Sequence, residues 1–169
     1  MNANGVDVNR NFATQDWQKK AHLLWRTRYR SDRRRFPGPK PMSEPETLFQ
    51  ESLIQKVRPQ KILSIHSPLN HMDYDGPSSL HLSRFDKGYV REWEKLRVKL
   101  RAKSAGFFPG SLGNYADNEL GIPTLTLELP SADPSKAARY WKQFTQGIRT
   151  MIQFTVPRFA SKVNQSHGG

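Results

Sequence analysis

Four polar residues of this sequence stand where a reactive site is expected, because each comes at or just after the end of a predicted strand. In open α/β sheets, ligands bind outside the carboxyl ends of the strands, so polar side chains at those ends can meet in one place. The four side chains are an amide, a guanidinium, an imidazole and a carboxylate, which suit anion binding, metal binding and proton transfer. They belong to Asn9, Arg10, His66 and Glu128. We therefore expect these residues to line one cleft.

Glu128 is the most informative of the four. It belongs to the segment Thr124–Leu129 and falls on the face opposite the leucines of that segment. A carboxylate in a central strand is costly unless it is paired, hydrated or bound to a ligand. This favours a functional role, and an edge strand with Glu128 in water is the alternative. For His66, a metal ligand and a hydrogen-bonded core histidine are both open. No role is predicted for the remaining histidines, which are His22, His71, His81 and His167.

Short strands and helices alternate along the chain, which predicts an α/β layer fold. Strands are expected at residues 5–8, 61–67 and 124–129, and helices at 14–28, 43–57, 84–105 and from Asp133 onwards. Residues 68–77 and 110–113 are rich in turn formers, which predicts loops. The predicted buried stripes of three helices are Trp17, Ala21, Leu24 and Trp25; Phe49, Leu53 and Val57; and Ala137, Trp141, Phe144, Ile148 and Ile152.

The chain has a formal net charge of +12, and much of it lies in the run Arg26–Arg35. A solvated loop and a contact with a polyanion (cell-wall polymer, nucleic acid or acidic substrate) both fit that run.

The absence of cysteine excludes disulfides and thiolate metal sites. No apolar run approaches the roughly 20 residues of a membrane helix, and the first residues show no signal-peptide pattern. A cytoplasmic and a periplasmic location both fit these features, and no membrane partner is expected.

Four sequence blocks resemble motifs of the zinc carboxypeptidases, the carboxypeptidase A-like metallopeptidase family. They follow the family order over residues 4 to 130, and together they are highly specific, although each alone is weak. Further segments, Pro68–Leu69, Asp73–Pro77 and Pro109–Gly113, resemble the murein peptide amidase branch, whose members cut the γ-D-glutamyl–diaminopimelate bond of cell-wall peptides. The four family blocks are Asn4–Phe12, Gly38–Thr47, Ser64–Ser67 and Thr126–Pro130.

The resemblance implies a role for each of the four polar residues. His66 is expected to bind zinc. Glu128 is expected to take a proton from the attacking water and pass it to the leaving amine. Arg10, with Asn9, is expected to hold the terminal carboxylate of the substrate. The implied fold is a three-layer α/β carboxypeptidase-like fold with a central mixed sheet flanked by helices, truncated at its N-terminus. The implied domain, residues 1–158, is the C-terminal part of a zinc carboxypeptidase domain, and residues 159–169 are expected to fray.

In this family the other two zinc ligands come from a His-x-x-Glu element upstream of the asparagine-arginine pair, and the sequence contains no His-x-x-Glu. We therefore expect an incomplete zinc site and little hydrolysis by the 169-residue chain alone. The family's substrate-contacting tyrosine falls near Phe107.

The expected partner is a peptide, in particular a murein peptide, and not nucleic acid. Self-association through an exposed sheet edge is also expected. Two alternatives stay open, an acyl-amino-acid deacylase of related zinc fold and a non-catalytic polyanion-binding remnant.

Overall fold

The structure is a computed structural model that describes residues 1–75, 91, 99–101 and 108–153. These residues form two compact units. The first contains residues 1–59 and 108–121, and the second contains residues 60–75, 91, 99–101 and 122–153. Phe107 and the predicted frayed tail lie outside the described residues.

The first unit is made of helices and turns. Its helices are α1 (Trp17–Thr27), α2 (Pro45–Val57) and α3 (Leu112–Leu120), and two 3₁₀ turns span Val8–Arg10 and Arg33–Arg35. Of the four residues at helical spacing, Trp17 and Ala21 of α1 are buried, whereas Leu24 and Trp25 are partly buried. The predicted strand at residues 5–8 is wrong: the Asp7 side chain accepts a hydrogen bond from the Asn9 N–H and bends the chain into a 3₁₀ turn. Part of the loop predicted at 110–113 belongs to α3.

The apolar stripe of α2 is exposed, which contradicts the prediction for this helix. Phe49, Leu53 and Val57 are 68%, 48% and 62% exposed, whereas Thr47 is the buried residue of α2. Apolar residues four positions apart predict burial only when another element packs against their face. Within the described part of the chain, no element covers these three side chains.

The second unit is built on a mixed sheet. Its strands are β1 (Ile62–His66), β2 (His71–Asp75), β3 (Lys99–Arg101) and β4 (Thr124–Glu128). They lie in the order β1-β4-β2-β3, with β4 parallel to β1 and antiparallel to β2, and with β2 parallel to β3. The predicted mixed sheet is therefore confirmed. Because β4 is an interior strand, the edge-strand alternative for Glu128 is wrong.

Two strands of this sheet lie where the sequence predicted other structure. Residues 71–75 were expected to be part of a loop, but they form β2, and each of them pairs with a residue of β4. Met72 and Tyr74 supply a fully buried apolar face that outweighs the turn-forming composition of this segment. Residues 99–101 were expected to lie in a long helix, but they form β3. Arg91 is helical, and the rest of that predicted helix lies outside the described residues.

Helix α4 (Ala137–Gln153) follows a 3₁₀ turn that begins at Pro134. As predicted, Asp133 starts this segment, and its Oδ1 accepts a hydrogen bond from the Ser135 N–H at 3.0 Å. Ala137, Trp141 and Ile152, predicted to be buried, are exposed. The buried face of the helix consists of Tyr140, Phe144, Gly147 and Met151. No helix in the described part of the chain is long and apolar enough to cross a membrane.

Candidate active site

The backbone of Arg10 is held by contacts from distant parts of the first unit. The Arg10 carbonyl accepts a hydrogen bond from the Trp17 indole at 2.8 Å. Gly110 packs against the same carbonyl, and a Cβ at position 110 would lie 2.1 Å from the carbonyl oxygen. The φ of Gly110 is also +76°, in the left-handed region that favours glycine. Position 110 therefore requires glycine, and the Arg10 backbone is positioned before any ligand binds.

The Asn9 side chain is oriented through its oxygen atom. Asn9 Oδ1 accepts a hydrogen bond from the Leu112 N–H at 2.8 Å, at the start of α3. Among the described residues, Asn9 Nδ2 donates no hydrogen bond. The amide nitrogen is therefore available to bind a carboxylate, and the predicted role of Asn9 stays a prediction.

The Arg10 guanidinium is largely buried and stacks on an aromatic ring. Its Cζ lies 4.7 Å from the centroid of the Phe108 ring, and its Nη1 donates to the Asn9 carbonyl. Burial lowers the pKa of Arg10, and the Asp7 carboxylate raises it in part. Arg10 Nε is buried and has no partner among the described residues. A buried donor without a partner is costly in a folded protein, so this group is suited to binding an anion.

Asn11 joins this region to the Gly38–Thr47 block. It is fully buried, and its Oδ1 accepts a hydrogen bond from the Glu44 N–H at 3.1 Å. A Cβ at Gly38 would lie 2.6 Å from Asn11 Nδ2. Asn11 Nδ2 lies 2.8 to 3.0 Å from three acceptors, the carbonyls of Pro37 and Lys40 and the hydroxyl of Ser43. The block therefore supports the turn that carries Arg10. Sequence reasoning assigned no role to Asn11, although it stands next to Arg10 in the motif.

Glu128 and His66 are direct neighbours in the sheet of the second unit. His66 is the Cα partner of Glu128 across β1 and β4, and His71 is its partner across β2 and β4. Directly paired residues project from the same face of a sheet, so Glu128 lies in a row between two imidazoles. Its Oε2 is buried and has no hydrogen-bond partner among the described residues. A buried acceptor without a partner costs stability, so this oxygen is suited to accept a hydrogen bond from a ligand or a water.

His71 is a member of this row that sequence reasoning missed. It is 6% exposed, and its Nε2 lies 3.0 Å from Asp73 Oδ2. The sequence does contain a signal, because His and Asp two positions apart lie on one face of a strand. The prediction of a loop at residues 68–77 concealed that signal.

The described residues do not complete a zinc centre by themselves. His66 offers one imidazole, and its Nε2 lies 2.9 Å from the Ser64 hydroxyl. Catalytic zinc sites use about three protein ligands. In the part of the chain that the structure describes, no group of three or more His, Asp or Glu residues is arranged to hold a metal ion. We therefore assign no reaction step to a metal held by these residues alone.

The structure brings the four predicted site residues together as two pairs. Asn9 and Arg10 are adjacent in the first unit, and His66 and Glu128 are adjacent in the second unit. The expectation that both pairs line one cleft stays a prediction.

Comparison with known proteins decides the family. A sequence model of zinc carboxypeptidases matches residues 1–146. The chain belongs to the zinc carboxypeptidase family. The family assignment predicted from the four sequence blocks is therefore confirmed.

Curated members of the zinc carboxypeptidase family resemble this chain over about half of their own length. Murein peptide amidase A of Escherichia coli is 32% identical over 142 residues, which are 81% of this chain and 54% of the relative. Murein peptide amidase A of Vibrio campbellii is 33% identical over 138 residues, which are 78% of this chain and 51% of the relative. The predicted likeness to the murein peptide amidase branch is thus confirmed.

A solved structure supports the carboxypeptidase-like fold. The crystal structure of a murein-tripeptide amidase from Escherichia coli superposes with a TM-score of 0.61 at 24% identity. The match covers 88% of this chain and 59% of that chain. At this identity the likeness concerns the fold, and the predicted fold class is confirmed.

Proposed function

We propose that this zinc carboxypeptidase domain takes part in hydrolysing an amide bond of cell-wall peptides, the γ-D-glutamyl–diaminopimelate bond. The observation that carries the proposal is the buried Oε2 of Glu128, which lies on an interior strand directly beside His66 and has no hydrogen-bond partner among the described residues. The family and the murein peptide amidases to which the chain is similar support the reaction class.

In the proposed reaction, Arg10 and Asn9 bind the carboxylate next to the scissile amide. Arg10 has an unused buried donor, and the Asn9 amide nitrogen is open to an acceptor among the described residues. Hydrogen bonds from a guanidinium to a carboxylate are charge-assisted and are stronger than neutral ones. Because the Arg10 backbone is held by Trp17 and Gly110, little ordering is needed when the substrate binds.

Glu128 is the proposed general base and acid. Its carboxylate accepts the proton of the water that attacks the scissile carbonyl, and it then delivers that proton to the leaving amine nitrogen. A carboxylate without an internal partner can perform both transfers without first breaking an internal hydrogen bond. An interior strand also holds it more rigidly than a loop would.

Zinc is the proposed cofactor, and His66 is the proposed ligand from this chain. One imidazole is fewer than the roughly three protein ligands of a catalytic site. We therefore propose that the 169-residue chain binds zinc weakly and hydrolyses little by itself. Additional ligands supplied ahead of the asparagine-arginine pair should produce activity.

A chimera tests this proposal. The part of Escherichia coli murein peptide amidase A that precedes the matched region is joined ahead of Met1, and release of diaminopimelate from L-alanyl-γ-D-glutamyl-diaminopimelate is measured. We expect the chimera to bind close to one equivalent of zinc and to cleave this peptide. The 169-residue chain, freed of contaminating metallopeptidases, should do neither.

Two variants of the chimera separate the roles of the paired residues. Glu128→Gln should retain zinc but lose turnover by about 100-fold or more, because an amide cannot accept the proton. His66→Ala should lose zinc as well as turnover. A folded, zinc-loaded chimera without activity, or full activity in Glu128→Gln, would disprove the assignment. Full activity in the 169-residue chain alone would disprove the need for further ligands.

A further inference from the structure

Three arginines gather around two aromatic rings in the first unit. The Cζ of Arg10 and that of Arg28 lie 4.7 Å and 5.7 Å from the centroid of the Phe108 ring. The Cζ of Arg28 and that of Arg35 lie 5.7 Å and 5.5 Å from the centroid of the Tyr29 ring. The arginine that resembles the family's carboxylate-binding residue is therefore joined by two arginines from the Arg26–Arg35 run.

A pocket with mostly apolar walls lies beside two of these cations, Arg10 and Arg35. Its other lining residues include Leu24, Trp25, Tyr29, Pro37, Phe108 and Pro109. Apolar walls exclude water, and charge interactions are stronger in such surroundings than at an open surface. An anion bound at the rim of this pocket, against Arg10 and Arg35, would therefore be held more tightly than one that meets a solvated loop.

The local fold directs Arg35 towards this pocket. Asp32 Oδ1 accepts a hydrogen bond from the Arg34 N–H and starts the 3₁₀ turn Arg33–Arg35. The Asp32 carbonyl in turn accepts a hydrogen bond from the Trp25 indole at 2.8 Å, which ties the turn to α1. Within the described part of the chain, Arg35 contacts an aromatic ring of this pocket, whereas Arg33 and Arg34 contact none.

The cluster has positive charge and unused donors. The charge of Arg35 acts to lower the pKa of Arg10, so the two cations repel each other. Among the described residues, no carboxylate forms a salt bridge with Arg10 or Arg35. Arg10 Nε is buried without a hydrogen-bond partner in the same set, and Tyr29 is close enough to act on the Arg10 guanidinium. An anion would relieve the repulsion and satisfy the Arg10 donor.

We propose that Arg28, Tyr29 and Arg35 form a second anion subsite beside Arg10, which selects substrates whose leaving group carries two carboxylates. The inference rests on the proposed function, because it assigns the first carboxylate to Arg10. Diaminopimelate has a carboxylate at each end of its chain, and lysine is the same molecule without one of them. The subsite would therefore distinguish two ligands that differ by a single carboxylate.

Binding to the 169-residue chain tests the subsite without requiring hydrolysis. Diaminopimelate and lysine are each titrated at constant ionic strength, and the indole N–H signal of Trp25 is followed by NMR. We expect diaminopimelate to bind about tenfold more tightly than lysine, as one additional charge-assisted pair would give. Arg35→Gln should reduce that ratio to about twofold or less. Arg35→Lys should retain most of it, because lysine keeps the positive charge, and the part that is lost reflects the missing guanidinium fork.

Arg34→Gln is the matched control, because it removes the same charge from the same 3₁₀ turn. It should leave the tenfold ratio unchanged, and all three variants should melt at the same temperature as the parent chain. An equal loss in Arg34→Gln and Arg35→Gln would show that only overall charge matters and would overturn the subsite. Equal binding of the two ligands by the parent chain would also overturn it.

The two proposals can fail independently. If the chimera is inactive while the parent chain still prefers diaminopimelate through Arg35, the proposed reaction is wrong and the subsite stands. If the chimera cleaves diaminopimelate-terminated and lysine-terminated peptides equally well, and Arg35→Gln changes neither rate, the reaction stands and the subsite is wrong.

Discussion

The surroundings of Asn11 and those of Glu128 differ in how well their polar atoms are satisfied. Asn11 is fully buried and uses both side-chain polar atoms in hydrogen bonds with the Gly38–Thr47 block. Glu128 holds a buried oxygen without a partner among the described residues. Both belong to sequence blocks of the zinc carboxypeptidase family. Residues of one motif set can therefore differ in this respect: Asn11 stabilises the fold through its hydrogen bonds, whereas Glu128 leaves a buried acceptor available to a ligand.

Substitution of the two residues should separate these purposes most clearly. Asn11→Ala should lower the free energy of unfolding by about 3 kcal/mol or more, because it leaves several buried backbone groups without partners. Glu128→Gln should leave it unchanged or raise it, since no hydrogen bond within the described structure is lost and the cost of a buried unpaired carboxylate is removed. Urea unfolding of the 169-residue chain measures both values.

Asn118→Ala is the control for that experiment, because Asn118 is an exposed asparagine of α3. It should cost no more than about 0.5 kcal/mol. If Glu128→Gln destabilised the chain as strongly as Asn11→Ala, the contrast between the hydrogen-bonded Asn11 and the buried Glu128 oxygen would be wrong.

Glu44 lies next to Asn11, because its N–H donates a hydrogen bond to Asn11 Oδ1. The Glu44 carboxylate should make a contribution to the free energy of unfolding that is lost in acid. Hydrogen bonds from Ser43, Asn2 and Asn4 lower the pKa of Glu44, and desolvation opposes them in part. Since the pKa in the folded state lies below the ordinary value of 4.5, the contribution is complete above that value and is lost as the pH falls through the folded-state pKa. Glu44→Gln should destabilise the chain by about 1 kcal/mol at pH 7.

The measurement compares unfolding free energies of the parent chain and Glu44→Gln from pH 7 to pH 3. Their difference should be constant near neutrality and should shrink towards the acid end. A difference that does not change over this range would contradict the role given to the Glu44 carboxylate.

The smallest expected effect concerns the exposed surfaces of the two regions. Among the described strands, β1 lies at an edge of the sheet, and its Ile65 is 52% exposed, which favours pairing with a second copy of the chain. Ile65→Lys should reduce concentration-dependent association in sedimentation velocity experiments. Phe49→Lys on α2 is the comparison, because it removes an exposed apolar side chain that does not belong to the sheet. Monomeric behaviour of the parent chain at all concentrations would contradict self-association.

Secondary structure was predictable where local signals and burial agree. β1, β4, α1 and the start of the segment that leads into α4 lie where the sequence predicts them. β2 was missed because His71, Asp73 and Asp75 resemble a polar loop, and their pairing with β4 joins residues 49 to 57 positions apart. The exposed stripe of α2 shows the same limit, since burial depends on what packs against a helix.

For the candidate site, the sequence by itself determined the family, because the types and order of the motif blocks that contain Arg10, His66 and Glu128 are those of zinc carboxypeptidases. The tertiary structure alone decided which atoms are satisfied. It placed Glu128 on an interior strand between two histidines, and it directed Arg35 rather than Arg34 towards Tyr29. These outcomes depend on contacts between residues far apart in the chain, and local propensity carries no information about such contacts.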